Sequence, residues 1–63
     1  MQQNIFNDKE KLIAMHPSDI VEGLMQLSLQ ERLYHFFDLP KDLKIEVFSY
    51  LEPHEQQIVL QSL

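Results

Sequence analysis

Apolar positions in this chain recur every twelve residues. Leucines stand at 27, 39, 51 and 63, and each closes a block of one design: HPSDIVEGLMQL (16–27), SLQERLYHFFDL (28–39), PKDLKIEVFSYL (40–51) and EPHEQQIVLQSL (52–63). The ninth position of each block is also large and apolar, namely Leu24, Phe36, Phe48 and Leu60. One leucine ladder could arise by chance in a leucine-rich chain. Two ladders in the same register set an architectural period, to be read before any local feature.

Twelve residues do not return to one face of a straight helix. At about 100° per residue they end about 120° past a whole number of turns, so successive ladder leucines would point in three directions. They converge only if the chain turns between blocks. Pro17, Pro40 and Pro53 each stand at the first or second position of a block, where a helix tolerates proline because first-turn N–H groups have no acceptor within the helix. The pattern predicts an all-α chain with helices near 8–15, 17–27, 29–38, 41–51 and 53–62. Residues 1–6 are expected to be a frayed end or the remnant of an earlier helix. Ser28 followed by Glu31 is a capping-box pair, and Asn7 followed by Glu10 is a weaker one. Asp19 and Glu55 fall in first turns, where carboxylates favour the helix dipole. His16 and Glu52 fall at N-cap sites, although neither is a preferred N-cap residue. No segment alternates as a strand would. Gly23, the single glycine, lies inside a predicted helix, where close helix–helix approach is the expected reason for it.

Size and charge narrow the function. A chain of 63 residues is one small domain or part of one, and about 60 residues bury only about 60% of their unfolded surface. An apolar content of 44% with six aromatic residues argues against disorder. The absence of cysteine fits a reducing compartment. A net charge of −5 argues against nucleic acid and anionic membrane surfaces as partners. The basic residues Lys9, Lys11, Arg32, Lys41 and Lys44 are interspersed with acids. No apolar run is long enough to span a bilayer, and the polar N-terminus is no secretory signal.

Catalytic and metal motifs are missing. His16, His35 and His54 fall at different block positions, so they are read as surface caps (His16, His54) and a helix-flank residue (His35) rather than as a shared metal site. Phosphate-binding loops and nucleophile elbows need glycines this chain lacks. An enzyme is therefore not expected. Tyr34 and Phe37, three residues apart on one helix flank, are expected to form either a second packing face or an exposed contact patch.

From His16 to Leu63 the chain resembles the cytosolic N-terminal domain of the MgtE family of magnesium transporters. The resemblance is carried by His16-Pro17-Ser18-Asp19, the Leu39-Pro40 step, Glu46-Val47-Phe48 leading to Leu51, and the closing Leu51, Pro53 and Gln56. Residues 1–15 fit only loosely, as an N-terminal helix or the end of a preceding repeat. The resemblance implies a right-handed superhelix of about five short helices on the cytoplasmic side of the plasma membrane. In that family the domain is followed by CBS domains and a transmembrane pore, which this chain lacks. It is thus expected to be an excised segment or a stand-alone product that cannot transport ions itself. The flagellar motor-switch family has a similarly built helical module, so a generic interaction scaffold without an ion role is the alternative.

The resemblance also implies a mechanism. Acidic faces of the N-domain and CBS domains repel, and Mg2+ between them offsets the repulsion. Mg2+ keeps several waters, so one or two carboxylates per site suffice. Glu46 looks like the family's interfacial acid, and Glu22, at the same block position, is a weaker candidate. Asp19, Glu31 and Glu55 are better explained as helix-start acids. The chain alone is expected to bind Mg2+ only weakly. An open-ended stack of helices exposes the apolar face that a further repeat would cover, so a homodimer or swapped assembly is expected.

Overall fold

The computed structural model describes residues 5–63. After a 3-10 turn at Ile5–Asn7 come five α-helices: α1 (Lys9–Ala14), α2 (Pro17–Met25), α3 (Leu29–Phe37), α4 (Lys41–Tyr50) and α5 (Pro53–Gln61). No strand occurs among the described residues. Every predicted helix is present, with ends trimmed by up to two residues. Of the expected frayed end, residues 1–4 lie outside the described residues. Phe6 in the 3-10 turn is buried, so the N-terminal segment belongs to the core.

The last four helices begin at Pro17, Leu29, Lys41 and Pro53, twelve residues apart. The same spacing governs their backbone bonds. The fifth N–H of each block donates to the first carbonyl: Ile20 to His16, Arg32 to Ser28, Lys44 to Pro40 and Gln56 to Glu52. The twelfth N–H donates to the ninth carbonyl: Leu27 to Leu24, Leu39 to Phe36, Leu51 to Phe48 and Leu63 to Leu60. The two apolar ladders thus mark the two ends of one closing turn in each block.

The capping expectations are refined. Ser28 caps α3, its hydroxyl accepting from the Glu31 N–H at 3.3 Å, but the Glu31 carboxylate returns to the Ser28 hydroxyl rather than to its N–H. At α1 the cap is Asp8, not Asn7: the Asp8 carboxylate accepts from the Lys11 N–H at 3.1 Å. Both residues can cap, and the chain starts α1 one residue later than the Asn7–Glu10 pair suggests. His16 does cap α2, its Nδ1 accepting from the Ser18 N–H at 3.1 Å. Pro40 and Glu52 make no side-chain cap.

The helices enclose one core, in a molecule measuring 31 × 24 × 17 Å. The most extensive helix contact is between α2 and α4, through fully buried Ile20, Leu24 and Val47. Phe6, Leu12, Phe36, Leu39, Leu43, Leu51 and Val59 complete the interior. The buried stripe rotates along the chain. In α2 and α3 the ninth residues, Leu24 and Phe36, are buried; in α4 and α5 the eighth, Val47 and Val59, replace them. Phe48 is therefore only half-buried and Leu60 is exposed. Gly23 accommodates the 3-10 turn rather than another helix. A methyl group there would lie 3.0 Å from Ile5 Cδ1 and 3.6 Å from the Phe6 ring.

Candidate functional site

The sequence points to α4 and α2 as the elements carrying the acids of interest. α4 buries Leu43 and Val47, one turn apart, which fixes the rotation of the helix about its axis. Glu46 is thereby turned outward and is exposed. Its carbonyl accepts from Ser49 Oγ at 2.7 Å, while among the described residues no hydrogen bond or ion pair engages its carboxylate. Asp42 is also exposed and stands four residues earlier, so the two share one face at about 5–6 Å between Cβ atoms. Asp42 is not singled out by the family-like motif; the i, i+4 spacing to Glu46 is the signal that would have found it.

Glu22 is exposed on α2, outside the Ile20–Leu24 stripe. His16 at the start of α2 meets the ring of Tyr50 at the end of α4 edge-on, with centroids 5.4 Å apart. Among the described residues no three His, Asp or Glu side chains group closely enough to hold a metal ion. An exposed, unengaged carboxylate on a rigid helix fits the supply of one oxygen, or a water-mediated contact, to a hydrated Mg2+ held against a second surface.

Glu55 departs from its reading as a helix-start acid. It does lie in the first turn of α5, but it is buried. Both its carboxylate oxygens accept from Arg32 Nη1, at 3.1 and 3.2 Å. Arg32 Nε and Nη2 donate to the carbonyls of Leu24 and Leu27. The guanidinium therefore joins the end of α2, the flank of α3 and the start of α5. Gln56 does similar work two blocks on, its amide donating to the Phe48 carbonyl at 2.9 Å. Arg32 and Gln56 are both fifth residues of a block, and each reaches back eight residues to a ninth-position carbonyl. Lys44, the fifth residue between them, instead lies 6.0 Å from the centre of the Phe37 ring.

The histidines do not converge. His16 is a cap, His54 is exposed beside Glu55, and His35 stacks on Phe6 with centroids 5.0 Å apart. The aromatic flank divides between its two expected roles, with Phe37 packed on the core and Tyr34 exposed. Phe37 also lines a shallow apolar groove of about 260 Å³ with Phe36, Lys44, Ile45, Phe48 and Leu60. No helix among the described residues is long and apolar enough to cross a membrane.

Comparison with curated proteins and with solved structures gives no match. The family model of the MgtE intracellular N domain matches residues 15–63, which take in α2 to α5 and both candidate acids. That match covers well over half of the chain, which therefore belongs to the MgtE intracellular N domain family.

Proposed function

We propose that this chain is a Mg2+-responsive regulatory segment of an MgtE-type magnesium transporter, one that closes against CBS domains and so controls a pore carried elsewhere in the protein. The family match is the observation that carries this reading, since it places the chain in a transporter family rather than an enzyme family. The exposed Glu46 carboxylate, with Asp42 one turn away and a chain charge of −5, supports the choice of α4 as the Mg2+-facing surface. Glu22 contributes secondarily. The helices serve as one stretch of a right-handed superhelix that presents these acids.

Two acidic surfaces repel on approach. A hydrated Mg2+ between them removes the repulsion and adds ligand bonds in the closed arrangement only, and that difference in affinity is what shifts the population. The chain's own residues hold α4 rigid and supply one or two oxygens; the remaining ligands are water and the facing domain. In the intact transporter, Glu46→Gln raises the Mg2+ concentration needed for protection from protease, by roughly 10-fold for each 1.4 kcal/mol of interaction lost. An unchanged protection midpoint in that variant removes Glu46 from the mechanism.

A further inference from the structure

Counting back twelve residues from His16 gives a further block, 4–15, whose ninth and twelfth residues are Leu12 and Met15. Its end keeps the repeat. The Met15 N–H donates to the Leu12 carbonyl at 3.1 Å, as the twelfth N–H does to the ninth carbonyl in every later block. Its start does not. The later blocks open their helix at the second residue, whereas α1 begins at the sixth, Lys9. Before it, the Asp8 N–H donates to the Ile5 carbonyl in the 3-10 turn. The family match begins at residue 15, so this irregular block lies almost wholly outside it.

Three contacts attach the block to the rest. Ile5 and Phe6 lie over Gly23 of α2, and Phe6 stacks on the His35 ring of α3. Leu12 enters the core and is 1% exposed. Lys9 Nζ donates to the carboxylate and to the carbonyl of Asp38, at 2.9 and 3.2 Å. That sets a cation on the C-terminal end of α3, where the helix dipole favours one. The Lys9 and Asp38 side chains are 48% and 49% exposed, so salt screens the pair. On the other side the block hangs from Met15 and His16, both extended in backbone, before Pro17 starts α2. With six residues, α1 is too short to persist off the core.

We propose that residues 5–14 form a strap that opens as one unit about the Met15–His16 link while α2 to α5 stay folded, and that the last turn of α3 loosens with it. The strap and that turn share the Lys9 tether and the Phe6–His35 stack, which makes them cooperative. The contact of α2 with α4 through Ile20, Leu24 and Val47 does not run through the strap. A local unit of this kind opens at a lower free energy than the whole molecule. Opening bares the surface of Gly23 and His35.

Amide hydrogen exchange of the 63-residue chain, read residue by residue by NMR, tests this. The N–H groups of Leu12, Met15 and Asp38 donate to the carbonyls of Asp8, Leu12 and Tyr34. They are expected to exchange together, about 10-fold or more faster than those of Leu24 and Val47. Added salt quickens the first set and not the second. Lys9→Gln quickens Leu12 and Asp38 alike, removes the salt effect and leaves Leu24 and Val47 unchanged. Phe6→Leu, which keeps an apolar side chain but loses the stack on His35, quickens the same set. Exchange of Leu12 at the rate of Val47 overturns the proposal, because the strap then opens only with the whole molecule. Rates that fall steadily from Lys9 to Met15, with Asp38 slow and unmoved by Lys9→Gln, also overturn it, because that is fraying of one helix and not the opening of a unit.

Discussion

Arg32 and Glu55 are the residues on which the single core most depends. Their side chains are 19% and 10% exposed, so each charge is largely removed from water. Removing one partner of such a pair leaves the other charge uncompensated and costs about 3–5 kcal/mol. Arg32→Met is predicted to lose more than Glu55→Gln, because it also frees the carbonyls of Leu24 and Leu27. Urea unfolding midpoints check the ranking, and an Arg32→Met protein as stable as the parent would contradict it. Gly23→Ala should act in the other direction. It gains up to about 1 kcal/mol of helix propensity, and the atom in its way is the flexible tip of Ile5. A raised melting temperature supports that assignment; a fall would mean that the 3-10 turn cannot yield. The outward direction of Glu46 was legible only in part: the ladders put Phe48 and Leu51 inward, whereas the structure buries Leu43, Val47 and Leu51. The burial of Glu55 was not legible, because its partner lies 23 residues away in α3. Block position gave no clue: of the fourth residues, Asp19 and Glu31 are exposed while Leu43 and Glu55 are buried.

At the scale of elements, twelve residues hold one short helix and one turn. Helices of six to ten residues are too short to be stable alone, so packing and caps hold them. Ser28→Ala should cost about 1 kcal/mol. Asp8→Ala should cost a similar amount, and Asn7→Ala little, which separates the observed cap from its neighbour; equal losses at residues 7 and 8 would contradict the assignment. Helix starts were legible because proline and cap residues act locally, within a turn. The rotation of the buried stripe between α3 and α4 was not. It depends on how neighbouring helices cross, which a one-dimensional period does not encode, and so Phe48 and Leu60 are less buried than their place in the ladder suggests.

At the scale of the whole molecule, thinness is the governing fact. A body 17 Å across its shortest axis has room for only one shared core between packed helices. Large apolar residues such as Ile45, Leu60 and Leu63 remain on its surface. In the proposed role a segment built this way works by meeting another surface, a CBS domain across the acidic face of α4. The most direct test of the regulatory claim is a distance. The chain has no cysteine, so Gln57→Cys, exposed on α5, takes a single spin label opposite a second one on the adjoining CBS domain of the intact transporter. A separation that shortens as Mg2+ rises through the regulatory range, and shortens only at higher Mg2+ in Glu46→Gln, is the predicted result. A separation that does not change with Mg2+ would contradict the account.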